Sequence, residues 1–193
     1  MAKQKKRPKH NRPAGTVRIT AGQWRSRRIT VAGGDVRPTG DRVRETLFNW
    51  LTPYMDGARC LDLFAGSGVL GFEALSRGAA RATLIDNSLP TVGLLHETSA
   101  AFSHPAVEII HHDALDWLAV TPPRPYDLVF LDPPFGKDLL TPALERLTDG
   151  WLASGARIYM ESADFLQELK LPLSLQWTKH ARLGNVSIGI AST

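Results

Sequence analysis

The sequence predicts a doubly wound α/β fold: a mostly parallel sheet of seven strands, covered by helices on both faces and finished by an antiparallel hairpin. Two observations carry this expectation. Short apolar runs at 59–64, 82–86, 107–111, 126–131 and 156–161 alternate with helix-like segments at 69–77, 89–102, 114–119, 138–149 and 164–169. That alternation is the spacing of βα repeats, whose parallel strands are buried on both faces. Two further strand-like stretches, 173–183 and 185–191, then meet at Gly184-Asn185, a turn pair suited to antiparallel neighbours.

A smaller β element is expected ahead of the sheet. Residues 1–15 show no periodicity and read as a disordered basic arm. Val17-Arg18-Ile19 and Arg28-Ile29-Thr30-Val31 each alternate, as in a hairpin with basic residues on its outer face, and Gly33-Gly34 ends it. From Asp41 a helix should place Val43, Leu47, Trp50 and Leu51 on one face, with Pro53 as its stop. These features make 16–56 an extension in front of a main domain at 57–193, and 193 residues suit one substantial core.

Composition narrows the partners. Residues 1–34 hold ten Lys or Arg and no acid, while the remainder carries 13 basic against 19 acidic residues. A basic arm on an acidic body suits a polyanion, because clustered cations displace its condensed counterions. The alternative is a solvated tail. One cysteine, Cys60, leaves no internal disulfide and fits a reducing cytoplasm. No metal site is expected, since His111 and His112 would point to opposite sides of a strand. No apolar run approaches the ~20 residues of a membrane-spanning helix.

The first strand of the sheet runs into Asp62-Leu63-Phe64-Ala65-Gly66-Ser67-Gly68-Val69-Leu70-Gly71. Its glycines fit G-x-G-x-x-G at a strand-to-helix turn, where a cofactor can approach the backbone at a helix N-terminus. Asp86 ends the second strand and can accept from both hydroxyls of an adenosine ribose. These features suit a nicotinamide dehydrogenase as well as a methyltransferase, and glycines kept for packing alone would look similar. Asp62 favours the methyl donor, because a carboxylate there attracts a cationic sulfonium and repels a pyrophosphate. Asp113, after the third strand, reads either as a partner of an adenine amino group or as a helix N-cap.

The fourth strand, Tyr126 to Leu131, ends in Asp132-Pro133-Pro134-Phe135. Ligands of open α/β sheets bind at the carboxyl ends of the strands. An exocyclic amine on a nucleobase is a poor nucleophile because its lone pair is delocalised into the ring. Attack requires both N–H bonds to be held, one by the Asp132 carboxylate and the other by the Pro133 carbonyl. Tandem prolines stiffen the loop and offer no competing N–H, while Phe135 can stack on the base. The alternative is a plain strand terminator with Phe135 packed in the core.

Together these residues resemble the RsmD family, methyltransferases of guanine N2 in small-subunit ribosomal RNA. The resemblance covers residues 16–193. It rests on Arg37-Pro38-Thr39 with Asp41-Arg42-Val43-Arg44-Glu45-Thr46-Leu47-Phe48-Asn49, on Leu61-Asp62 with Phe64-Ala65-Gly66-Ser67-Gly68, and on Asp132-Pro133-Pro134-Phe135. Gly22-Gln23-Trp24-Arg25 with Arg27-Arg28 is similar to the family's basic hairpin. The resemblance implies a Rossmann-like class I fold and S-adenosyl-L-methionine as cofactor. The cofactor residues would be Asp62, Phe64, Ala65, Gly66, Ser67, Gly68, Asp86, Asn87, Asp113 and Ala114. It also implies ribosomal RNA or an assembling small subunit as partner, contacted by Arg25, Arg27, Arg28, Arg37, Arg42 and Arg44, and a monomeric enzyme. Arg37, Arg42 and Arg44 have an alternative role, ion pairs with Asp41 and Glu45 on a solvated helix. Two departures are Asp86-Asn87, where a longer Glu is expected, and a helix from Thr91 to Phe102 without the usual Arg and Asn. The rival functions are a DNA adenine or cytosine amino-methyltransferase and a non-catalytic RNA-binding protein on the same fold.

Overall fold

The computed structural model describes residues 15–31, 40–104 and 106–193. Its first strands, β1 (Gly15–Arg18) and β2 (Arg28–Val31), form an antiparallel pair, and α1 (Asp41–Leu51) follows. Then come β3 (Arg59–Asp62), α2 (Val69–Ser76), β4 (Arg81–Asp86), α3 (Leu89–Phe102), β5 (Val107–His111), α4 (Ala114–Val120), β6 (Tyr126–Leu131) and α5 (Leu140–Leu147). The chain closes with β7 (Leu152–Ser162), β8 (Gln176–Leu183) and β9 (Val186–Ser192).

The large sheet has seven strands in the order β5-β4-β3-β6-β7-β9-β8. Strands β3 to β7 pair in parallel, and β9 runs antiparallel between β7 and β8. The chain therefore works outward from β3 to β5, returns past β3, and works outward again from β6. The reversal between β3 and β6 is the crevice where open α/β sheets bind ligands. There Asp62 pairs with Phe130, and the Leu63 amide donates to the Phe130 carbonyl at 3.2 Å.

Alternation along each strand divides the interior into two cores. Cys60, Phe130 and Tyr159 face α1, α2 and α3, together with Leu47, Phe48, Phe72 and Leu95. Leu61, Leu131 and Met160 face α4 and α5, together with Trp117, Leu144 and Trp151. Burying each large aliphatic or Phe side chain stabilises the fold by ~1.5–3 kcal/mol.

Val17, Ile19, Trp24, Ile29 and Val31 of the N-terminal hairpin share the first of these cores with Cys60 and Leu84. Polar contacts fix the same docking. Buried Glu73 of α2 accepts from the Thr20 amide at 2.9 Å and the Ala21 amide at 3.0 Å, and pairs with Arg77 at 2.9 Å. The Gln23 amide donates to the Ser76 carbonyl at 2.8 Å and the Trp24 amide to the Ser76 hydroxyl at 2.9 Å. Gly22 has φ +82°, and a Cβ there would lie 1.8 Å from the Ser76 carbonyl oxygen, so no other residue fits.

The parallel sheet and its closing hairpin match the expectation from the sequence, but three segments differ. The helix expected over 164–169 is a single 3-10 turn, Leu166–Glu168. The flanking Phe165 and Leu169 are both extended, with ψ of 107° and 121°, which confines the helical backbone to that one turn. The helix expected over 138–149 contracts to α5, because Asp138 has φ 48° and cannot continue a right-handed helix. The buried face of α1 includes Arg44 and Phe48, while Trp50 is only half-buried.

Candidate active site

The glycine loop is built from β3 into α2. Gly66 and Gly68 have φ of 51° and 72°, and the Gly68 amide closes the turn on the Ala65 carbonyl at 2.7 Å. A Cβ on Gly68 would lie 2.5 Å from Leu95, 2.8 Å from Phe72 and 2.9 Å from Leu84, while one on Gly71 would lie 3.2 Å from Leu84. Close packing of α2 on the sheet therefore accounts for these two glycines. Gly66 has another use: its amide donates to Asp86 Oδ2 at 2.9 Å.

Carboxylates gather at this edge. Asp62 is 1% exposed, and its Oδ2 accepts from the Gly71 amide at 3.1 Å. Burial pushes its carboxyl up from the usual 3.8 to about 7; the Gly71 bond opposes that rise and the charge of Asp86 adds to it. Asp86 bridges two loops, with Oδ1 accepting from the Ser88 amide at 2.8 Å and Oδ2 from Gly66. Burial raises its pKa, against the pull of those two bonds. Each carboxylate oxygen has two lone pairs, so acceptor capacity remains for a diol. Asp113 caps α4 through Oδ1, accepting from the Leu115 and Asp116 amides at 2.9 and 3.1 Å. The N-cap role foreseen for it is present in the fold.

The other residues assigned to the cofactor are mostly wall. Ala65, Ser67, Gly68 and Ala114 are buried and Phe64 is half-buried. Asn87 is exposed, and its carbonyl lies 3.1 Å from His111 Nε2. Asp62, Asp86 and Asp113 thus sit at the ends of three adjacent strands, a donor set suited to a cationic, diol-bearing and amine-bearing ligand.

The Asp132–Phe135 loop leaves β6 on the other side of the crevice. Asp132 is partly exposed, Pro133 buried and Pro134 exposed. Phe135 is 51% exposed, which overturns the reading of it as a core residue. The loop offers a half-exposed carboxylate and an open aromatic face beside the glycine loop.

Of the arginines assigned to RNA, Arg25 and Arg42 are exposed. Arg28 is exposed and donates to Thr16 Oγ1 at 3.0 Å. Arg27 is committed to α3, its guanidinium 4.3 Å above Phe102 and its Nη2 donating to the Ala101 carbonyl at 2.6 Å. Arg44 requires a correction. It is 0% exposed, and its Nη2 donates to Asp41 Oδ1 at 2.8 Å and to the Arg18 carbonyl at 2.7 Å. Position 44 falls on the buried face of α1, so the ion-pair role prevails. Arg37 lies outside the described residues.

Two features of this edge escape the motif reading. Glu161, near the end of β7, is 6% exposed and accepts from the Tyr159 hydroxyl at 2.8 Å. An acid after an apolar strand was its visible signal, repeating Asp62, Asp86 and Asp132. Beyond it, Arg182 places its guanidinium 4.4 Å above Phe165, which is 54% exposed. That pairing crosses two strands and leaves no local pattern.

A cavity of about 440 Å³ lies at the opposite, amino-terminal edge among Arg59, Thr83, Glu108, Arg124 and Tyr126. A second, of about 370 Å³, lies between the hairpin and α1. Neither contains the glycine loop or Asp132.

Residues 17–192 match the family model described as "Conserved hypothetical protein 95". The chain is 46% identical over 159 residues to Ribosomal RNA small subunit methyltransferase D of Escherichia coli, covering 81% of this chain and 79% of that protein. The corresponding protein of Haemophilus influenzae is 45% identical over 153 residues, covering 77% and 79%. The chain belongs to the RsmD family. A solved structure described as a putative methyltransferase, yhhF, from Escherichia coli superposes with a TM-score of 0.84 at 41% identity, covering 92% of this chain and 98% of that one. A Thermus thermophilus 16S rRNA N2 G1207 methyltransferase, solved with AdoMet and guanosine, shares the fold at a TM-score of 0.68 and 20% identity, covering 92% and 49%. The fold of this RsmD-family chain is the Rossmann-like fold of S-adenosylmethionine-dependent methyltransferases.

Proposed function

We propose that the chain transfers a methyl group from S-adenosyl-L-methionine to the exocyclic N2 of a guanine in small-subunit ribosomal RNA. The observation that carries this reading is the Asp132–Phe135 loop, with a part-exposed carboxylate and a 51%-exposed aromatic ring at the strand reversal beside Asp62 and Asp86. Ribosomal RNA is supported by the names of the relatives that cover most of the chain.

The cofactor supplies an electrophilic methyl group on a cationic sulfonium. Asp62 would hold that cationic end, and Asp86 would accept from the ribose hydroxyls. Asp132 and the Pro133 carbonyl each hold one hydrogen of the target amine, localising its lone pair toward the methyl carbon. Phe135 stacks on the base and fixes the approach, so alignment of two bound reactants supplies much of the rate. The proton shed by the amine passes to the Asp132 carboxylate, whose partial exposure lets solvent remove it.

The deciding experiment supplies unmethylated small-subunit RNA, free and in ribosomal particles, alongside duplex DNA. Methyl groups are located by mass spectrometry. N2-methylguanine in the RNA is the expected product. A mark confined to adenine or cytosine of the DNA overturns the reading in favour of a DNA amino-methyltransferase.

A further inference from the structure

Parallel pairing sets Leu131 of β6 opposite Met160 of β7. The next residues, Asp132 just past the end of β6 and Glu161 near the end of β7, therefore stand beside each other, close to the inter-strand spacing of roughly 4.8 Å. Alternation turns both to the face that carries Phe130 and Tyr159, away from Leu131 and Met160. The Tyr159 hydroxyl donates to Glu161 Oε2 at 2.8 Å. Tyr159 is held well above the usual phenol range by burial first, then by the charges of Glu161 and Asp132. Both carboxylates thus bear on one buried phenol. A carboxylate only 6% exposed costs several kcal/mol to desolvate, and an apolar residue on this strand would avoid that cost.

We infer that Glu161, oriented by Tyr159, selects guanine over other amine-bearing bases by accepting the ring N1–H beside the amine held by Asp132. The inference rests on the guanine-N2 reading above and deepens it. Guanine presents two adjacent donors on its pairing edge, N1–H and the N2 amine. Adenine presents its amine beside a bare N1 acceptor, and cytosine its amine beside a bare N3. Two neighbouring carboxylates match the first pattern. They oppose the other two, because a carboxylate facing a ring lone pair leaves both acceptors buried and unmet. Sites built around a substrate donor reject analogues lacking it far more strongly than apolar pockets reject a changed size.

2-Aminopurine tests this directly, since it keeps the guanine amine but lacks N1–H. Small-subunit RNA is prepared with guanine or 2-aminopurine at the mapped position, and kcat/KM is measured for the wild type, Glu161→Gln and Tyr159→Phe. The wild type should prefer guanine by tenfold or more. Glu161→Gln should lose about tenfold or more on guanine and little on 2-aminopurine, because its amide can donate to the bare nitrogen. The preference then collapses. Tyr159→Phe should narrow it partially. S-adenosylmethionine affinity, measured by calorimetry, should stay unchanged in both variants. A purely structural Glu161 would lower both substrates together, so an unchanged preference in Glu161→Gln, or no preference in the wild type, overturns the inference. Failure of the wild type to methylate guanine N2 at all overturns the parent reading instead.

Discussion

The two edges of the sheet carry charge in different ways. At the amino-terminal edge, charged side chains answer one another. Asp127 takes the Arg59 amide, Nε and Nη2 at 2.8, 2.9 and 3.0 Å, and Arg124 pairs with Glu108. Arg124 Nε donates to the Tyr126 hydroxyl at 2.8 Å, which donates to Thr83 Oγ1 at 3.0 Å. At the carboxyl-terminal edge, Asp62 and Asp113 are met by amides in the first turns of α2 and α4, and Asp86 by the loop amides of Gly66 and Ser88. The amino-terminal edge holds a cavity of about 440 Å³ and a satisfied network, and neither the glycine loop nor Asp132 lines it. What distinguishes the carboxyl-terminal edge is a row of acids whose partners are backbone amides, with lone pairs left for a ligand.

Substitutions at the two edges should separate accordingly. The largest effect is expected from Asp132→Ala, which should lower methyl transfer to ribosomal RNA by about a thousandfold or more while cofactor affinity, measured by calorimetry, changes little. Near-normal turnover would remove Asp132 from the chemistry.

Asp62→Asn comes next, with cofactor affinity lowered by roughly thirtyfold or more through loss of a buried charge partner. The same residue gives a pH signature. Its folded-state pKa of about 7 lies above the usual 3.8, so the folded chain holds a proton that the unfolded chain releases. The stability this contributes is present below about pH 4 and is lost as pH rises through 7. In the cofactor-free wild type, thermal melts should show that decline, worth a few kcal/mol, and Asp62→Asn should flatten it. A parallel decline in the variant would assign the slope to another group.

Phe135→Ala should cost ~1–3 kcal/mol of stacking, roughly 5- to 150-fold in kcat/KM, with Phe135→Tyr close to wild type. Equal losses in both variants would argue against stacking. The smallest effect belongs to the amino-terminal edge. Arg59→Ala should destabilise the fold by at most about 1 kcal/mol, because its pair with Asp127 is about two-fifths exposed, and should leave kcat untouched. Arg59 holds the Asp127 carboxyl below the usual range, so the pair's contribution is present at neutral pH and fades as pH falls through that lowered pKa.

The parallel strands were legible because most hold a short apolar run, such as 128–131 in β6 and 158–160 in β7, while polar β8 was marked mainly by the turn at Gly184-Asn185. Asp132–Phe135 was legible because its elements are contiguous. Arg44 was misassigned because its environment is made by β1, a strand 26 residues earlier in the chain, whose Arg18 carbonyl accepts a hydrogen bond from its guanidinium. Sequence spacing shows that residue 44 shares a helix with Asp41, not that a strand covers it. Glu161 was missed for the related reason that its meaning comes from register with β6. The 164–169 segment has helix-like composition, but its backbone is extended at Phe165 and Leu169, which composition alone does not show.

The clamp around Glu73 and Ser76 bears on how this protein can be rebuilt. The glycine loop enters α2 at one end, and the basic hairpin is held along the other by side chains that α2 itself supplies. The hairpin is therefore not an interchangeable module. A graft of residues 15–31 onto a related scaffold must bring the last two turns of α2 with it, or the Thr20 and Ala21 amides lose their acceptor. The N-terminal hairpin and α2 thus form one structural unit, and substitutions in either are constrained by the other.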